Sequence, residues 1–171
     1  MNIIFTIGIS GAGKSTWVKE FLAAHPDYIC INRDTLRLCL VRTLVGYYDR
    51  PDVGKLEAMV NALVDTSIDI AQRFKYNVLV DNTNLHSKYI TSFIAEADTW
   101  QFKLFDCNPT IAKTRVLLRD VIPSSDRSLV TEDYINTVFS AKVSYIDEQY
   151  KRYIAIKEYV LTHYPKNNYN K

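Results

Sequence analysis

Long hydrophobic runs, paired cysteines and a strong charge of either sign are all missing from this 171-residue chain. No apolar run is long enough to span a bilayer as a helix, and Met1 to Phe5 enter an apolar segment with no cleavable leader pattern. The expectation is a soluble, cytoplasmic protein with no membrane partner. Of the three cysteines, Cys30, Cys39 and Cys107, none lies at a CxxC spacing. An odd count without a secretory leader predicts reduced, buried thiols. The net charge is only +2, so bulk charge does not make the protein a polyanion binder, and any nucleic-acid contact needs a local Lys/Arg cluster. His25, His86 and His163 pair with no other ligand at metal spacing, so no zinc site is expected. There is no internal repeat and no Gly- or Ser-rich linker, which leaves one domain over 1–164 and a polar tail, 165–171, expected to fray.

What is present suits an ordinary globular domain, with 47% hydrophobic and 23% charged residues. Ile3 to Ile7 is a short, almost wholly apolar run ending at Gly8, as a strand buried on both faces should be. Tyr28 to Ile31, Val78 to Val80 and Phe102 to Phe105 read as further strands. Between them lie helical stripes. Trp17, Val18, Phe21 and Leu22 form one, which His25-Pro26-Asp27 stops. Another runs from Lys55 to Phe74 and a third through Tyr89, Ile90, Phe93, Ile94 and Ala97. Asn108-Pro109 opens a helix through Leu118, and a last one runs from about Thr131 to His163, with a solvated face beyond Tyr145. Alternating strands and helices predict an α/β fold with a central parallel sheet flanked by helices on both faces. Ligands of such a sheet sit beyond the carboxyl ends of its strands.

Gly8-Ile9-Ser10-Gly11-Ala12-Gly13-Lys14-Ser15 fits the phosphate-loop pattern G-x-x-x-x-G-K-[ST], followed by Thr16. Its glycines let successive N–H groups turn inward as a nest for phosphate oxygens at a helix N-terminus. Lys14 adds a charge for the β- and γ-phosphates, and the Ser15 hydroxyl is suited to ligate Mg²⁺. The motif sits between a predicted strand and a predicted helix, the context it needs. It identifies an ATP-type nucleotide user and leaves the reaction open. The base-reading N-K-x-D of GTPases is absent, and Val78-Leu79-Val80-Asp81 is followed by Asn82 where motor-type ATPases carry a water-activating glutamate. Transfer to an acceptor other than water is the better reading.

Asp34, at the end of the second strand, is placed to orient an acceptor hydroxyl and take its proton. Arg37, one helical turn on, is placed to grip an acceptor phosphate by two prongs. The same pair also reads as a helix-capping aspartate and a solvated arginine, and spacing does not decide between the two. Tyr47 and Tyr48, near Arg50 and Lys55, suit either stacking on single-stranded nucleic acid or covering a sheet edge.

TIGISGAGKSTWVKEF, INRDTLR and VLVDNTNL together resemble the 5′-kinase domain of T-even-phage polynucleotide kinase and its bacterial relatives among end-healing enzymes. The resemblance covers most of the chain and is thin from Val41 to Lys55. It implies a P-loop kinase with a helical lid that uses ATP and Mg²⁺ to phosphorylate the 5′-hydroxyl of single-stranded or end-exposed DNA or RNA. Carried over, it makes Lys14 and Ser15 the phosphate and metal contacts, Asp34 the general base and Arg37 the clamp on the acceptor phosphate. Asp81 matches an active-site aspartate that holds an arginine or a metal-bound water. For the lid arginines that stabilise the transferring phosphoryl group, Arg119 and Arg127 are the candidates. The family's 3′-phosphatase motif, D-x-D-G-T, does not occur in the sequence, so a kinase without phosphatase is expected, in the host cytoplasm if phage-encoded. A small-molecule or nucleoside kinase of the same fold, and a nucleotide-binding regulatory module, are the alternatives.

Overall fold

Four short strands carry the fold. In the computed structural model, which describes residues 1–44, 46–94, 97–120 and 132–168, they are β1 (Asn2–Ile7), β2 (Tyr28–Ile31), β3 (Asn77–Val80) and β4 (Thr99–Leu104). All pair in parallel in the order β2-β3-β1-β4, with Ile3 opposite Val78 and Phe5 opposite Val80. Parallel neighbours need crossovers, and helices supply them: α1 (Lys14–Ala24), α2 (Arg33–Leu40), α3 (Val53–Arg73), α4 (Ser87–Ile94), α5 (Pro109–Asp120) and α6 (Glu132–His163). A single 3₁₀ turn, Tyr47–Asp49, precedes α3.

The period-2 alternation of a strand divides the core into two layers. Ile4 and Leu79 point to one face, where Val18 and Phe21 of α1 cover them. Ile3, Phe5, Val78 and Val80 point to the other, against Val64 and Ile68 of α3 and Ile146, Tyr153 and Ile156 of α6. The sheet is thus flanked by helices on both faces, as its apolar runs predict.

Three expectations need correction. β4 begins at Thr99, three residues before the predicted Phe102, and ends at Leu104. Polar Gln101 and the exposed Thr99 break its apolar run because it is an outer strand. The tail through Asn168 is docked and does not fray. Asn167 carbonyl oxygen accepts from Phe102 N at 2.7 Å, Asn167 Nδ2 donates to Trp100 O at 2.8 Å, and Asn168 bridges Phe102. Open N–H and C=O groups on an edge strand are what such a segment satisfies. Finally, the cysteines are not buried: Cys30 on outer strand β2 and Cys39 on α2 are exposed, and Cys107 is half-buried.

Candidate active site

The loops that follow β1, β2 and β3 converge on a cleft of about 600 Å³ at the carboxyl ends of the strands. The first of them is the phosphate loop. Gly11 has φ 80° and Gly13 φ 94°, backbone that side-chain-bearing residues rarely adopt. A Cβ on Gly11 would also meet Ala112 O at 2.6 Å. Gly13 caps α1, and a Cβ built on it meets nothing within 4 Å, so the space in front of the helix N-terminus is open. Ser10, Gly11, Gly13, Lys14, Ser15 and Thr16 line the cleft. Gly8 and Ala12 do not: Gly8 is pinched under Phe105, whose Cβ would lie 2.8 Å from an added Cβ, and Ala12 packs on the core.

Lys14 Nζ donates to the carbonyls of Gly8 and Ile9, both at 2.9 Å, and so curls over the loop. Burial pulls its pKa down from the usual lysine range to about 8. Asp81 opposes that shift, Arg119 adds to it and Asp34 opposes it, so all three charges are felt at this ammonium.

Asp81 is buried, 7% exposed, at the end of β3. Burial raises its pKa, and the Lys14 charge pulls the other way. Asn32 Nδ2 donates to its Oδ2 at 3.2 Å and to its backbone O at 2.7 Å. Further bonds tie the same loops together. Arg33 N donates to Asn82 Oδ1 at 3.0 Å, Thr6 Oγ1 to Asn82 O at 2.9 Å, and Gly8 N to Thr83 O at 3.2 Å. Backbone and amide groups thereby hold three loops in one frame around Asp81 and Lys14.

On the far side of the cleft the first turn of α2 presents Asp34. Asn32, not Asp34, caps this helix, accepting from Thr35 N at 2.9 Å. Asp34 is left free of the capping task, with its side chain 67% exposed and, among the described residues, one partner, Arg37, whose Nη1 donates to Oδ1 at 2.6 Å. Arg37 is not solvated: it is 9% exposed and forked on Glu57 of α3, Nε to Oε1 at 2.8 Å and Nη2 to Oε2 at 3.0 Å. Glu57 also accepts from Arg33 Nη2 at 2.9 Å and from the buried Tyr47 hydroxyl at 2.9 Å. The Arg37 bonds, chiefly, hold the Glu57 carboxyl down at about 2. Neither tyrosine covers a sheet edge. Tyr47 is buried under the carboxylate, while Tyr48 is 68% exposed, lines the cleft and lies 5.6 Å from the Arg37 guanidinium.

Of the predicted lid arginines, Arg119 lines the cleft beside Lys14, and Arg127 lies outside the described residues. The structure adds residues that sequence reasoning missed: Glu57, Arg115 and Gln149. Arg115 Nη1 donates to Gly11 O at 3.1 Å, and Gln149 Oε1 accepts from Ser10 N at 2.8 Å. Gln149 carried a readable signal, a polar residue inside the apolar stripe Ile146–Tyr153–Ile156 of α6. Nothing in the sequence links Glu57 to Arg37. Among the described residues no cluster of three or more His, Cys, Asp or Glu is arranged to hold a metal ion, and no helix is long and apolar enough to cross a membrane.

Three solved structures share this architecture at low identity. A chain of the Pnkp1/Rnl/Hen1 RNA repair complex superposes with a TM-score of 0.59 at 22% identity, over 86% of this chain and 45% of that one. A chain of the PezAT toxin–antitoxin system of Streptococcus pneumoniae gives 0.55 at 20% identity, over 68% and 51%. Shikimate kinase from Bacteroides thetaiotaomicron gives 0.53 at 16%, over 89% and 81%. The chain therefore spans less than half the length of the RNA repair protein it matches, and these likenesses establish a P-loop kinase fold. A family model described as an AAA domain, AAA_33, matches residues 3–137, and this chain, with its phosphate loop framed by a four-stranded parallel sheet, belongs to that family.

Proposed function

We propose that this protein is an ATP-dependent kinase that transfers the γ-phosphate to the 5′-hydroxyl end of DNA or RNA. One observation carries the reading: Asp34, relieved of capping by Asn32 and held by Arg37, faces the same cleft as the phosphate-loop Lys14. A carboxylate opposite a phosphate nest is what in-line transfer to an alcohol requires. The fold shared with the RNA repair complex chain adds support for a nucleic-acid acceptor.

The residues fit a nucleotide and Mg²⁺. Gly11 and Gly13 leave a cradle that a side chain would spoil, and Ser15 and Asp81 put oxygen donors of the kind Mg²⁺ takes on one cleft. When bound, Mg²⁺ supplies charge neutralisation on the phosphates. In the proposed mechanism the loop N–H groups and Lys14 bind and orient the triphosphate, and Ser15 and Asp81 are the residues that would hold Mg²⁺ beside it. Asp34 orients the hydroxyl and takes its proton as that oxygen bonds to the γ-phosphorus and the bond to ADP breaks. Arg119 and Arg127 stabilise the phosphoryl group in transfer, and Arg37 holds the acceptor end.

A small hydroxylated molecule is the second reading, favoured by the engagement of three Arg37 donors with Glu57 and Asp34, which leaves fewer for an acceptor phosphate. The deciding assay offers labelled ATP with 5′-hydroxyl oligonucleotides, nucleosides and small polyols. Label on the oligonucleotides supports the proposal; label on polyols alone overturns it. Label on nothing, with ATP still bound, leaves the regulatory-module reading in its place.

A further inference from the structure

Gln149 is an isolated polar side chain on the inner face of α6, 4% exposed, between the buried Ile146 and Tyr153. Its orientation is fixed by chemistry. A backbone N–H can only donate, so the atom 2.8 Å from Ser10 N must be the amide oxygen. The Nε2 group then points the other way and still carries both its hydrogens as donors. Among the described residues no protein acceptor takes them. Nor is that nitrogen sealed off, since Trp100 Nε1 is the one fully buried side-chain nitrogen or oxygen there without a partner. Gln149 lines the nucleotide cleft, and so Nε2 opens into it.

The helix that carries this amide is well anchored. Tyr153 OH and Lys157 Nζ, on the next two turns, both donate to Asp106 Oδ1 in the loop after β4, at 2.7 and 2.6 Å. Lys113 of α5 pairs with Asp147 at 2.6 Å. A buried amide with one end fastened to the phosphate loop and two donors directed into a cleft lined by Lys14, Arg115, Arg119 and Arg152 is built to meet an anionic oxygen.

We propose that Gln149 keeps its bond to Ser10 N and donates from Nε2 to the terminal phosphoryl group of the bound nucleotide, making it a direct contact of the group being transferred. The inner phosphates belong to the N–H groups at the start of α1, and Lys14 reaches from the β- to the γ-phosphate without covering its far side. Ser10 lies in the opposite half of the loop, toward α6, which assigns Gln149 the outermost phosphate. The inference rests on reading the loop as an ATP site and is independent of which acceptor is used.

The test is nucleotide binding to the intact protein, without acceptor, for wild type, Gln149→Glu and Gln149→Met. Gln149→Glu keeps an acceptor for Ser10 N and removes the donors; Gln149→Met conserves volume and removes both. ADP lacks the group in question, so a merely structural role moves both affinities together. The expected result is a fall of about tenfold or more in the ATP-to-ADP affinity ratio in both variants, as for loss of a hydrogen bond to a charged group. An unchanged ratio, or an equal loss for ATP and ADP, overturns the assignment. Wild-type protein that binds neither nucleotide overturns the ATP-site reading itself, a separate and recognisable failure. Should Gln149→Met melt below the working temperature, the uncharged Gln149→Leu takes its place, because the new charge of Gln149→Glu by itself opposes ATP more than ADP.

Discussion

The phosphate loop takes its shape from eight consecutive residues, Gly8 to Ser15, whereas the proposed acceptor side draws Asp34 and Arg37 from α2, Tyr47 from the turn after it and Glu57 from α3. On the donor side the working groups are backbone N–H vectors, set by the positive φ of Gly11 and Gly13. On the proposed acceptor side they are side-chain charges: Asp34 on Arg37 three residues along, and Arg37 and Arg33 on Glu57, 20 and 24 residues away. A backbone device survives most changes around it and fails when its own residues change. A charge network fails by degrees, at any of its members, and responds to pH.

The largest effect should come from the donor side. Lys14→Ala is expected to lower both ATP affinity and transfer, the rate by a factor on the order of a hundred to a thousand. Equilibrium ATP binding and single-turnover transfer check it; loss of rate with ATP affinity intact would break the proposed contrast between the two halves. Next comes Asp34→Asn, which keeps the shape and cannot take a proton. Transfer should fall by on the order of a hundredfold with ATP and oligonucleotide affinity near wild type. Because Asn32 is the cap, Asp34→Asn should leave the melting temperature unchanged, and turnover within a few-fold of wild type would remove Asp34 from the chemistry.

Glu57→Gln should act more mildly and only on the acceptor half. It loosens Arg37 and, through it, Asp34, so acceptor turnover should drop by about tenfold while ATP affinity holds. Its second signature lies in acid. The Glu57 carboxyl is held at about 2, below its ordinary value of 4.5, so its contribution to stability is complete above that ordinary value and is lost as pH falls from there toward 2. Acid titrations of folding should therefore show a shallower loss over this window in Glu57→Gln than in wild type.

The donor half has its own, smaller pH signature at the other end of the scale. Lys14 sits at about 8 because it is buried, and phosphate binding favours its charged form. ATP affinity should weaken as pH rises through about 8, with proton uptake on binding. Calorimetry in two buffers of different ionisation enthalpy measures that uptake, and Lys14→Arg should abolish it. Smallest of all, Arg50→Ala removes a half-exposed surface pair with Asp52 at 2.9 Å, outside both halves. Neither transfer nor melting should change measurably.

Legibility followed the same division. Ile3 to Ile7, the glycine loop and the stripe of α3 could be read directly, because strand burial, positive φ and helical period are local properties. Asp81 and Asn32 were legible as polar residues after strands, but not their mutual bonds, since these depend on β2 and β3 becoming neighbours. Asp34 left two roles open in sequence, and Asn32's claim on the cap closed one of them. Glu57 was invisible as a partner of Arg37 because a carboxylate on a helix face looks solvated until α2 packs against α3.

By itself the sequence determined a parallel α/β sheet and a phosphate nest, through apolar period and glycine placement, each confined to a short window of chain. Only the tertiary structure decided which charges meet. It put Arg37 on Glu57, anchored Gln149 to Ser10 and docked Asn167 on the edge of β4. Those pairings span 20 to 139 residues of sequence, and they form because buried donors and edge-strand groups must find partners once the sheet and helices have brought them together.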